Sequence, residues 1–167
     1  MRPSTYFIVI SWLSSLLSIA AIGWLGKLLQ FSQIENFFLI TSFGATAVLV
    51  HAAPTSPLAQ PRNVIGGHIV SAIVGVSIAL FLPLEPVWLA ALAVSTAIAA
   101  MHVTHTLHPP GGATALLAVS GGAAIERLGF WFVISPVAAG ALLMVLIAWL
   151  ANRISRDPAR HYPSSWW

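Results

Sequence analysis

The sequence predicts an all-α, polytopic membrane bundle of five or six membrane segments, folded as a single membrane domain over residues 1–167. Three observations predict it. Only 7% of the residues are charged and 58% are hydrophobic, with a mean hydropathy of +0.90, against roughly a quarter charged in an average soluble domain. Charged residues fall between apolar runs, and a bilayer-crossing helix needs about 20 mostly apolar residues. Prolines cluster at the joints, where they forbid a continuing helix.

The segments follow in order. The first runs from about Tyr6 to Leu29, with Lys27 near its end; it is longer than the apolar core of a signal peptide and further spans follow, so it is a membrane helix. The second, about Asn36 to Ala53, lies between Glu35 and Arg62 and stops at the proline-rich stretch Pro54 to Pro61. A third covers about Asn63 to Leu82 and closes at Pro83-Leu84-Glu85-Pro86; the fourth spans about Val87 to Leu107. Between Pro86 and Ile125 there is no Asp, Glu, Lys or Arg, yet His108-Pro109-Pro110-Gly111-Gly112 breaks any helix in the middle of that stretch. Ala113 to Ser120 is apolar but too short to cross alone, so one or two short or re-entrant helices are expected. The last helix is expected over about Leu128 to Leu150, ahead of Arg153, Arg156 and Arg160.

An internal repeat organises these pieces. Phe43-Gly44-Ala45-Thr46-Ala47-Val48-Leu49 returns 68 positions later as Gly111-Gly112-Ala113-Thr114-Ala115-Leu116-Leu117, with five of seven positions identical. Each copy sits in the middle of three segments, which divides the chain into related units of about 1–83 and 84–167, a common construction in transporters. Charge chooses between topologies. With both copies re-entrant, the seven Lys and Arg residues divide four against three. With both copies crossing, Arg2, Arg62, Arg153, Arg156 and Arg160 face Lys27 and Arg127, and Glu35, Glu85 and Glu126 join the poorer side. The second division is the positive-inside pattern, so units inverted relative to each other, with both termini cytoplasmic, are preferred. A multi-pass position in an inner or plasma membrane follows.

The basic residues are scattered singly, which speaks against a nucleic-acid partner despite a pI near 10.2. Cysteine is absent, and no Ser-His-Asp set, paired carboxylates or phosphate loop is present, so no enzyme, catalytic residue or resident cofactor is expected. Every acidic residue before the final arginines sits at a joint, and intramembrane cation sites typically use Asp or Glu; a small anion or neutral solute is favoured. Two features offer binding groups. Gly44 and Gly112 lead short runs whose helices, if they start inside the membrane, present unpaired N–H groups and the positive end of a dipole to an anion. The alternative is that these small residues only pack helices together. His102, His105 and His108 follow at three-residue steps, sharing a broad face if the helix persists. They could bind a metal, donate to an anion or carry its proton, or satisfy backbone carbonyls at the proline break. Trp24, Tyr162, Trp166 and Trp167 read as interfacial anchors.

The stretch His108 to Ala115, with Ser42 to Leu49 and the Pro-Arg-Asn and Gly-Gly-His elements between Pro54 and Gly67, resembles the HPP family of small membrane proteins over most of the chain. Family members are described with four membrane helices, which stands against the segment count here. Some cyanobacterial and chloroplast-envelope members are implicated in nitrite transport, so the resemblance implies nitrite; the residues alone imply a small inorganic anion.

The expected function is therefore a transporter or channel-like permease for a small inorganic anion, with the lipid bilayer as its surroundings and a homo-oligomer compatible with so thin a bundle. Its expected substrate-binding residues are Gly44, Ala45, Thr46, His105, His108, Gly111, Gly112, Ala113 and Thr114, with no metal. The alternatives are a membrane protein holding metal or haem through its histidines and a non-transporting structural subunit.

Overall fold

The computed structural model describes residues 3–155 and 160–166, and all regular structure among them is helical. Helix α1 (Thr5–Leu28) is capped by Ser4, whose hydroxyl accepts from the Phe7 amide at 3.0 Å. Helix α2 (Gln33–Ala47) opens with a capping box: Ser32 accepts from the Glu35 amide at 3.3 Å and the Glu35 carboxylate accepts from the Ser32 amide at 2.8 Å. It continues as a π-helical turn over Val48–Ala52, just before Pro54. Helices α3 (Pro61–Phe81), α4 (Pro86–Val103) and α5 (Pro110–Ser120) each begin on a proline, the residue that loses nothing at a position whose N–H has no helical partner. The short α6 (Ala123–Leu128) precedes a π-helical turn over Val133–Ala138, with Ser135 extended, that leads into α7 (Ala139–Ser155).

Five stretches are long and apolar enough to cross a bilayer: Thr5–Leu28, Gln33–Ala52, Pro61–Phe81, Pro86–Val103 and Val133–Ser155. The α1 and α4 spans are 17% buried against 50% for the last, so α1 and α4 lie at the periphery and turn Trp12, Leu16, Val87 and Trp88 towards lipid.

Hydrogen bonds place the helix ends. Arg160, beyond α7, donates to the Phe7 carbonyl at 3.1 Å near the start of α1, and to the His51 carbonyl at 3.1 Å near the end of α2. The Ser164 amide donates to Gln60 at the start of α3 at 2.7 Å, and Arg62 donates to the Thr104 carbonyl, just past α4, at 3.3 Å. One end of the bundle thus collects the start of α1 and the chain after α7. A chain that returns to its starting side crosses an even number of times, yet only five spans are long. The 104–109 connection and α5 carry the chain back from the terminal end to the opposite one. An 11-residue helix is about 16 Å long, roughly half the hydrocarbon thickness. Helix α5 starts at mid-depth, where the Pro110 carbonyl lies 3.2 Å from the Ser42 hydroxyl, and delivers Gly122 to the far end beside Glu35. The paired copies of the repeat consequently run antiparallel.

Several expectations from the sequence are corrected. The fourth helix stops at Val103 rather than Leu107: Thr104 caps it and His105 takes the left-handed φ of 54°. The final helix does not run from Leu128; Gly129 at φ 51° ends α6, and the span begins at Val133 and reaches Ser155. Trp24 and Trp166 are exposed as anchors should be, but Tyr162 is buried in the core between helices. Arg2, Arg156 and Trp167, which entered the charge and anchor readings, lie outside the described residues.

Candidate functional site

The polar centre of the bundle is built from four pieces of chain. Ser42 and Thr46 stand one turn apart on α2 and share a face. His68 comes from α3, Thr114 from α5, and His108 from the connection ahead of α5; all five side chains are essentially buried. Small residues let these pieces meet. A methyl group at Gly67 would lie 2.5 Å from His108 Cβ and 2.8 Å from the Thr106 carbonyl, and one at Gly75 would lie 2.7 Å from the Ala115 carbonyl. Asn63 holds the same connection by donating to the Leu107 carbonyl at 2.8 Å.

The hydrogen bonds form one continuous chain: Ser42 to Thr114 at 2.8 Å, Thr114 to His68 Nδ1 at 2.7 Å, His68 Nε2 to Thr46 at 2.8 Å, Thr46 to His108 Nε2 at 3.0 Å, and His108 Nδ1 to the Leu58 carbonyl at 2.8 Å. Its polarity follows from the last contact. A carbonyl only accepts, so His108 carries its proton on Nδ1, and in the neutral ring Nε2 must accept. Thr46 therefore donates to His108 and accepts from His68, whose proton is on Nε2. Nδ1 of His68 accepts from Thr114, which accepts from Ser42. Every donor points from Ser42 towards Leu58.

Apolar surfaces enclose this chain. Phe43 stacks on His68 with centroids 4.6 Å apart, and the two imidazoles meet edgewise at 5.0 Å. The groups hydrogen-bonded to the two rings are hydroxyls and one carbonyl, with no carboxylate or fixed cation. Ser71, fully buried against Gly111, has a hydroxyl without a partner. A second polar group lies at the terminal end: His51 Nε2 meets Ser18 at 2.8 Å, its carbonyl accepts from Ser11 at 2.7 Å, and Arg160 is buried over the Phe7 ring at 4.4 Å. Beside it, Ser11, Ser15, Gly44 and His51 help line an open groove of about 510 Å³ that is otherwise apolar.

Of the residues expected from sequence, Thr46, His108 and Thr114 come together here, with Gly111 buried alongside. Gly112 and Ala113 are half-buried on α5. Gly44 is half-buried on the groove side of α2, Ala45 is exposed, and His105 is exposed in the turn after α4. Two premises need correction. Gly44 lies inside α2, not at a helix start, so its amide belongs to the helix; and the Gly111 and Gly112 amides donate to the His108 and Pro109 carbonyls at 2.8 and 3.1 Å, because α5 starts on Pro110 over a tight turn. The three-histidine face does not form either. His102 and His105 are exposed while His108 turns inward, and among the described residues no group of three His, Asp or Glu is placed to hold a metal. Sequence reading notes His51 and His68 as histidines of the first unit but carries neither His68 nor Ser42 into the expected site. Ser42 lies just outside the repeated heptapeptide, one helical turn before Thr46, and that spacing was the available signal.

The profile of the transmembrane region of HPP proteins matches residues 1–163. Two transmembrane proteins of Dictyostelium discoideum are similar: one is 47% identical over 160 residues, covering 94% of this chain and 50% of its own, and the other is 48% identical over 134 residues, covering 77% and 45%. The chain thus spans about half the length of each of these relatives. No solved structure matches it.

Proposed function

Because the chain belongs to the HPP family of transmembrane proteins, we propose that it is a multi-pass permease for a small inorganic anion, with nitrite the first substrate to test. One observation carries the reading: corresponding threonines of the two repeat copies, Thr46 and Thr114, meet on a single imidazole, His68, at the centre of the bundle. A polar site buried at mid-membrane between repeat units is how secondary transporters hold their cargo. Hydroxyls and imidazoles donate to an anion without the desolvation penalty of a buried fixed charge. The antiparallel course of α2 and α5 supports reading residues 1–83 and 84–167 as inverted units.

In this reading Thr46 is the donor freed for the anion, His68 and Thr114 hold it in place, and His108 donates from Nε2 when that nitrogen carries a proton. Gly111, Gly112 and Ala113 give α5 the slimness to sit against α3 and α4. The anion replaces one contact of the satisfied chain, most simply that between Thr46 and His108. Arg62, Arg153 and Arg160 at the terminal end, against Lys27 and Arg127 at the other, support a cytoplasmic location for the termini in an inner or plasma membrane.

The test is nitrite uptake into proteoliposomes. The expected result is entry faster than into empty vesicles, reduced in His108→Ala and Thr46→Val. Entry no faster than into empty vesicles, unchanged by His108→Ala, overturns the proposal.

A further inference from the structure

We propose that the Ser42–Thr114–His68–Thr46–His108 chain is a proton relay, so that the permeating anion travels with a proton; this rests on the permease reading above. The first argument is direction. Ser42 heads the chain as a donor, each later member both accepts and donates along it, and every donor points the same way, the arrangement in which a proton moves by successive short hops. Ser14 and Ser77, by contrast, donate to the Ile10 and Ile73 carbonyls of their own helices at 2.7 and 2.8 Å, while Ser11 and Ser18 cross between helices to reach only the single residue His51. Thr46 has only a long 3.5 Å approach to its own helix carbonyl, and makes its short contacts across helix interfaces.

The hops balance. A proton from water arriving at Ser42 Oγ lets the original Ser42 proton pass to Thr114. The Thr114 proton moves to Nδ1 of His68, the Nε2 proton of His68 moves to Thr46, and the Thr46 proton moves to Nε2 of His108. All three hydroxyls end neutral. His68 ends neutral in its other tautomer, and the positive charge rests on His108, which keeps its Nδ1 proton on the Leu58 carbonyl. An imidazolium in that position attracts the anion; transfer of its Nε2 proton to the anion returns His108 to the neutral ring, and anion and proton leave together as the neutral acid. The groups facing the two rings are Thr46 and Phe43 from α2, Thr114 from α5, the Leu58 carbonyl and each other, so no fixed charge competes for the proton.

The test uses the full chain in proteoliposomes with a pH-sensitive dye inside, empty vesicles serving as the control for diffusion of nitrous acid. Inward nitrite gradients are expected to acidify the lumen faster than in empty vesicles, at a rate unaffected by an imposed membrane potential. Ser42→Ala leaves the four side chains assigned to the anion in place and deletes only the hydroxyl that heads the chain. In that variant nitrite/nitrite exchange is expected to survive, while uptake driven by a pH gradient falls to the empty-vesicle level. Protein-dependent nitrite uptake that ignores the pH gradient and responds to membrane potential overturns the relay and leaves the permease standing. If no nitrite moves, dissipation of an imposed proton gradient that is lost in Ser42→Ala upholds the relay and removes the permease; dissipation equal to empty vesicles removes both.

Discussion

Thr46 and Thr114, at the same position of the two repeat copies, close on opposite nitrogens of the His68 ring at 2.8 and 2.7 Å. Thr114→Val keeps the shape and deletes the hydroxyl, leaving His68 Nδ1 and Ser42 without that partner in an apolar surround. Orphaning a buried polar group costs about 1–3 kcal/mol. The expected outcome is a lower unfolding midpoint in detergent and loss of nitrite uptake, with Thr114→Ser restoring much of both. A Thr114→Val protein as stable and active as the parent would remove the threonine pair from the mechanism.

Two glycines of the candidate region should respond in opposite ways. At Gly67 a methyl group meets His108 Cβ and the Thr106 carbonyl, backbone and near-backbone atoms that cannot swing aside. Gly67→Ala should therefore destabilise by about 1–3 kcal/mol and push the His108 connection off α3. At Gly44 nothing lies within 4 Å of the added carbon, and Gly→Ala inside a helix gains about 0.5–1 kcal/mol. Thermal unfolding of the two variants should shift in opposite directions; loss of uptake in a stable Gly44→Ala protein would then report on permeation rather than folding.

The histidines after α4 separate in the same way. His102 is exposed, so His102→Ala should stay within about 0.5 kcal/mol of the parent. His105 holds a left-handed φ of 54°, a conformation that strains a residue with a side chain by about 1 kcal/mol, so His105→Gly should be neutral to stabilising and His105→Val destabilising. His108→Ala leaves both the Leu58 carbonyl and Thr46 without that partner, and should be the most harmful of the His→Ala changes in this stretch. Unfolding midpoints in one detergent rank them.

How far the sequence reveals this arrangement depends on what each residue's neighbours announce. Gaps between charges mark the spans because a bilayer tolerates few charges inside a helix, and prolines at 61, 86 and 110 mark helix starts because they lack the amide. The repeat pointed to Thr46 and Thr114. It could not point to His68, whose partners stand 22 and 46 positions away on other helices and which sits in an evenly apolar run. The three-residue spacing of His102, His105 and His108 misled because it presumed a helix that the Thr104 cap ends. The anion-binding amides misled because a glycine's place in a motif does not say whether a carbonyl already holds its N–H, as those of His108 and Pro109 do for Gly111 and Gly112.

A sixth crossing by the 104–109 connection and α5 is expected and can be checked directly, because the chain has no cysteine and single introduced thiols report only their own position. Ser4 precedes α1 and Ser165 follows the Arg160 and Ser164 contacts, and both are exposed at the terminal end; Glu85 is exposed in the turn between α3 and α4, at the opposite end. In intact cells a membrane-impermeant thiol reagent should treat Ser4→Cys and Ser165→Cys alike and Glu85→Cys oppositely. The excess of arginines at the terminal end predicts that Glu85→Cys is labelled from outside and the other two only after permeabilisation. Labelling of Ser4→Cys and Ser165→Cys from opposite faces would mean an odd number of crossings. Helix α5 would then be a dip rather than a passage, and the antiparallel meeting of the two repeat copies on His68 would need another explanation.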